Sequence, residues 1–217
     1  MKIFQISDLH LDENFKMEEY SDMLEEMANI IEHESKEMKN IYIVCCGDIV
    51  NKGDPKEYGI SAISVFDFFK DKLKDKTIEF ICVPGNHDLC NNEFVDFQTF
   101  FSRCNKGIDF NTNNVSIYET PSLDYLLLNT TFHKDITYGN IDLIKLKEHL
   151  TKTSKPVIII MHHTLMSRYS NDRSQITNAY EFLKQNNIYT ITTEIALFML
   201  LESSKHPNFK ELQALIK

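Results

Sequence analysis

Short apolar runs alternate with longer amphipathic stretches along this chain, the rhythm of an α/β fold. Lys2 to Ile6 reads as a first strand. From Lys16 to Lys39, Met17, Tyr20, Met23, Leu24, Met27, Ile30 and Ile31 recur at helical spacing, which predicts a long helix whose apolar stripe packs on a core. Ile41 to Cys46 is apolar without alternation, as in a strand buried on both faces. Pro55 to Lys74 is predicted helical, with the proline in the first turn, where a missing N–H costs little. Ile78 to Val83 is a third strand, stopped by Pro84-Gly85.

Further on, Glu93 to Cys104 predicts a short helix, and a Gly/Asn-rich segment from Asn105 to Asn114 leads into two antiparallel strands, Val115–Tyr118 and Tyr125–Leu128. Asn140 to Leu150 reads as a helix with Asn140 as its cap. Lys155-Pro156 opens the strand Val157 to Met161, Gln175 to Gln185 is helical again, and Ile188 to Thr192 is a last strand. There is no internal repeat and no long linker. The expectation is one domain over residues 1–192, followed by an atypical helical tail over 193–217.

Composition narrows the class. The 217 residues are 42% hydrophobic and 25% charged, which excludes a disordered chain, a collagen-like repeat and a small disulfide scaffold. The net charge of -9 argues against a general binder of phosphate backbones, so nucleic acid is an unlikely partner. It says nothing against a small anionic substrate held by metal ions. The longest apolar runs are strand-sized, so no membrane span is expected, and the first residues lack the features of a signal peptide. Five cysteines without a CxxC pair fit a reduced, cytoplasmic protein with buried thiols, and none stands in a nucleophile context.

Residues with metal-ligand chemistry cluster just past the strand ends, where open α/β sheets bind ligands. Asp8-Leu9-His10 follows the first strand, Gly47-Asp48 the second, Gly85-Asn86-His87-Asp88 the third, and His162-His163 the strand from Val157. Each piece alone has a plainer reading as a turn, a cap or a surface pair. Four such groups at four strand ends form a pattern that chance does not readily give. Asp8 and His10, two residues apart in an extended loop, can face one ion. Asp48 can bridge two ions through its two oxygens, and Asn86 and His162 offer an oxygen and a nitrogen to the second. Mixed oxygen and nitrogen donors suit Mn, Fe or Zn better than Mg or Ca. Two such ions can clamp a phosphoryl group and acidify a bridging water. The glycines before Asp48 and Asn86 allow a sharp turn and close approach.

On these motifs the chain resembles the calcineurin-like metallophosphoesterases, whose pattern runs D-x-H, G-D, G-N-H-D/E, H and then G-H-x-H. The resemblance extends from Met1 to about Ile191. It implies a four-layer α/β/β/α sandwich, with two divalent metal ions at Asp8, His10, Asp48, Asn86 and His162. It further implies that His87 contacts phosphate and protonates the leaving oxygen, that Asp88 orients it, and that His163 is no ligand. The implied activity is hydrolysis of a small phosphodiester or phosphomonoester by a metal-bridging hydroxide.

The final G-H-x-H is absent from the sequence. Thr193-Glu194-Ile195-Ala196 stands where it is expected, and only His206 comes later. Truncation, frameshift and genuine divergence each explain this, and the second sheet is then expected to be incomplete. Each ion keeps three protein ligands, counting Asp48 twice, so weaker metal affinity is expected; such sites can still be catalytic. The alternative is a catalytically weak protein that kept the fold and acts by binding. The loop from Ser167 to Arg173 is read as solvated, with Arg168 or Arg173 able to hold a phosphate.

Overall fold

The computed structural model describes residues 2–91, 93–103, 108–134, 137–165, 175–183 and 189–191. Strands β1 (Ile3–Ile6), β2 (Asn40–Cys46) and β3 (Thr77–Val83) form a parallel sheet in the order β1-β2-β3. Ile3 pairs with Tyr42, and Cys45 with Cys82. Helices α1 (Met17–Glu34) and α2 (Ile63–Lys72) make the crossovers. Of the predicted stripe on α1, Leu24 and Ile31 are buried, joined by Ala28, whereas Tyr20, Met23 and Ile30 stay exposed, a narrower core face than the spacing suggests. Val65, Phe66 and Phe69 of α2 are buried beside them.

The second sheet has the order β4-β5-β6-β7, from Val115–Glu119, Asp124–Leu128, Val157–Ile160 and Tyr189–Ile191. β4 and β5 are antiparallel, as the sequence predicts, and β5, β6 and β7 are parallel. Side chains alternate across a strand, and the two cores follow that period. Tyr125, Leu127, Ile158 and Ile160 join the first sheet's core. Leu126, Leu128, Val157 and Ile159 pack on the opposite face with Leu146 of α4 (Leu143–Leu150) and Phe182 of α5 (Ala179–Leu183). Both faces of each sheet are thus covered, which gives the expected α/β/β/α sandwich. α3 (Val95–Phe101) adds Phe97, Phe100 and Phe101 to the first core.

Two helix starts differ from the sequence reading. Asp142 caps α4, its carboxylate accepting the Lys145 N–H at 3.1 Å, while Asn140 donates to Thr177 Oγ1. The helix predicted from Pro55 does begin there, but Glu57–Ala62 is a π-helical stretch that precedes α2. Among the described residues no helix is long and apolar enough to cross a membrane. Cys45, Cys46 and Cys82 are buried free thiols. The tail from 193, the loop 167–173, Glu194 and His206 lie outside the described residues.

Candidate metal centre

The β1–β2 pairing continues past the strand ends and lays the two ligand loops side by side. Asp8 N–H donates to the Gly47 carbonyl at 3.2 Å, His10 N–H to Asp48 at 3.0 Å and Leu11 N–H to Ile49 at 3.1 Å. To hold this course Asp8, His10 and Asp48 take φ of 53°, 46° and 50°. Left-handed backbone costs an ordinary residue on the order of 1 kcal/mol, and it gathers where function demands a geometry. Three such residues within one pair of loops mark this as a built site.

The two glycines act as the sequence predicts. Gly47 has φ 87°, and a Cβ there would lie 2.7 Å from the Gly85 nitrogen and 2.8 Å from His162 Nδ1. A Cβ on Gly85 would lie 2.5 Å from the Asp48 nitrogen and overlap its carboxylate. The loops after β2 and β3 therefore meet backbone to backbone. From the β3 loop, His87 N–H donates to Asp48 Oδ1 at 2.9 Å.

His162 is buried just past β6, and its Nδ1–H donates to the Cys46 carbonyl at 2.8 Å. Its Nε2 lies 2.9 Å from Asn86 Oδ1 and 3.4 Å from Asp48 Oδ2. Acceptors converging on one point repel one another unless a cation lies among them, and a nitrogen fixed through its other ring atom is how histidine is prepared as a ligand. The donor set therefore fits a metal ion. Ligand atoms of Asp8, Asp48 and His162 lie within 4.8 Å of one another, and so do those of His10, Asp48 and His87. Asp48, 3% exposed, belongs to both groups. The grouping differs in detail from the expected partition, since Asp8 falls with His162 and His10 with His87.

The expected contact from Asp88 to His87 is replaced by another arrangement. His87 Nδ1–H donates to the Asn51 carbonyl at 2.8 Å, and its ring stands edge-on to that of His10, centroids 4.7 Å apart. Asp88 is instead taken by the loops: Oδ2 accepts from Gly85 N–H at 2.9 Å and Ile49 N–H at 3.4 Å. Its Oδ1 accepts from Val50 N–H at 3.3 Å and the Tyr58 hydroxyl at 2.5 Å. A buried carboxylate needs such donors. Burial, with Asp48's charge added, pushes Asp88 up to about 6 against the pull of these bonds. His163, also buried, bonds Thr130 Oγ1 at 2.8 Å, and its ring stands edge-on to that of His162, centroids 4.9 Å apart. Burial holds the Cys46 thiol well above its ordinary range, which disfavours a thiolate nucleophile beside the site.

Sequence reasoning missed Tyr58, Asn51 and Ser7, whose hydroxyl donates to Asp8 Oδ2. Ser7 adjoins a motif and could have been suspected. Asn51 acts through its carbonyl, which no side-chain pattern encodes.

The pattern of the calcineurin-like phosphoesterase family matches residues 1–192, and the chain belongs to that family. It is 28% identical over 197 residues to a Psychrobacter arcticus protein named a probable cyclic nucleotide phosphodiesterase, a match covering 84% of this chain and 67% of that one. Its fold is similar to that of a dimetal phosphatase from Danio rerio, with a TM-score of 0.57 at 15% identity over 88% of this chain and 80% of the other. The chain is a metallophosphoesterase, and membership of the family implies two divalent ions.

Proposed function

We propose that the protein hydrolyses a small phosphodiester, with cyclic nucleotides as the first class to test, and that phosphomonoesters are weaker substrates. The observation that carries this reading is Asp48, whose carboxylate belongs to both ligand groups and so can serve two ions at once. The name of the Psychrobacter arcticus relative supports the diester class. Asp8, His10, Asp48, Asn86 and His162 would hold the ions. When bound, the ions supply the positive charge that steadies phosphoryl oxygens and acidifies a water.

The chain's own residues do the rest. His87 Nδ1 is committed to the Asn51 carbonyl, so the proton given to a leaving oxygen comes from Nε2. The edge-on His10 ring restricts the His87 ring to that direction. Asp88 acts on the loops rather than on His87. The mixed nitrogen and oxygen donors favour Mn, Fe or Zn.

The test is hydrolysis of bis-p-nitrophenyl phosphate, p-nitrophenyl phosphate and cyclic AMP with Mn. Faster turnover of the diesters supports the reading, and monoester preference overturns its finer part. A second reading is a protein of this fold that works by binding. Metal binding by calorimetry without turnover of any ester decides for that reading.

A further inference from the structure

Tyr58 lies in the π-helical stretch Glu57–Ala62 and is 3% exposed. A π-turn widens the helix by one residue and often accompanies a functional site. Here adjacent side chains, Glu57 and Tyr58, both point inward. Glu57 accepts from Lys52 N–H at 2.8 Å and Asp54 N–H at 3.4 Å, fastening the chain that follows Asn51. Tyr58 donates its hydroxyl to Asp88 at 2.5 Å, with its ring set against Phe100, centroids 5.3 Å apart.

Asp88 gathers N–H groups from two ligand loops: Ile49 and Val50 beyond Asp48, and Gly85 before Asn86. We propose that Tyr58 is a positioning residue for the metal centre, acting through Asp88 to fix the spacing between the loop of Asp48 and the loop of Asn86. This rests on the two-ion reading above. Without the hydroxyl, Oδ1 keeps only the longer bond from Val50, and the carboxylate turns to recover a donor. Gly85 follows it, and Gly85 lies in backbone contact with Asp48. The ligand atoms then lose the separation that two ions require. A hydroxyl that merely satisfied a buried carboxylate would affect stability and nothing else.

The experiment compares wild type, Tyr58→Phe, Asp88→Asn and the double variant by Mn calorimetry and by the paramagnetic resonance of the Mn-loaded protein. Leu146→Ala, in the other core, serves as a control for lost stability. Changes in groups that orient ligands typically cost about 10–100-fold in metal affinity. We expect a loss of that order in Tyr58→Phe, an altered spin coupling between the ions, and no further loss when the change is made in Asp88→Asn. Leu146→Ala should melt earlier yet keep wild-type affinity. Tyr58→His, which sets a ring N–H back from Asp88, is the second variant and should show an intermediate loss.

Wild-type affinity and spectrum in whichever Tyr58 variant folds overturns the proposal. Losses that multiply in the double variant, or an equal loss in Leu146→Ala, do the same. If wild type itself binds no Mn, the two-ion reading has failed instead.

Discussion

Gly85 and Asp48 come from different loops, yet a Cβ on the first would sit 2.5 Å from the backbone nitrogen of the second. No rotamer relieves this, because the obstacle is main chain. Gly85→Ala should therefore displace Asp48 while leaving both cores packed. We expect Mn affinity and esterase activity to fall at least about tenfold, the scale of a disturbed ligand shell. Unchanged calorimetric titration in a folded Gly85→Ala protein would contradict the backbone contact.

Asp48→Asn removes the charge that both ligand groups share. Activity should be abolished. Binding of ions to the native state stabilises it by about 2.7 kcal/mol at a hundred times the dissociation constant. Wild type should thus melt later with Mn than with a chelator, and Asp48→Asn should lose that difference. A variant as active as wild type would refute the two-ion assignment.

His87→Ala separates proton donation from ligation. Removing a general acid costs about 10²–10⁴-fold when the leaving oxygen needs a proton. The loss should be large with an alkyl ester, small with a p-nitrophenyl ester, and unaccompanied by a change in Mn affinity. Weaker Mn binding in this variant would move His87 among the ligands, beside His10 and Asp48.

At the start of β5 and β6, the end opposite His162, Lys155 Nζ lies 3.1 Å from buried Asp124 and 2.9 Å from the Thr120 carbonyl. Thr153 also donates to that carboxylate. Lys155→Met leaves Asp124 short of a charged partner, at a cost of about 1–3 kcal/mol. For a chain of this size that lowers the melting temperature by roughly 2–4 °C per kcal/mol. Activity at room temperature should not change, and a kinetic defect would show coupling to the site.

Much of this was legible in the sequence because the informative residues repeat a simple period or stand beside a strand end. Ile41–Cys46 declared itself by unbroken apolar character, and Ile78–Val83 by an apolar run that only Glu79 interrupts, stopped by Pro84-Gly85. Asp8, His10, Asp48, Asn86 and His162 stand just past strand ends, and that position singles them out as candidates. What escaped depends on backbone direction: Asn51 serves through its carbonyl, Asp88 faces N–H groups of two loops, and the π-turn at Glu57–Ala62 has no signature distinct from an ordinary helix start. Asp142 displaced Asn140 as the cap of α4 because both are suitable caps, and Asn140 was drawn to Thr177.

The left-handed backbone of Asp8, His10 and Asp48 has a consequence for the protein before it meets its ions. The strained backbone of exposed Asp8 and His10 makes their loop easier to open than the buried segment of Asp48, which Asp88 holds at Ile49 and Val50. Local opening of that kind relaxes the turns without melting the strands beneath. Newly made, ion-free chains should therefore be nicked by proteases first near the exposed residues Asp8 and His10. Loading with ions closes that window, so cellular abundance of the protein would rise and fall with metal supply.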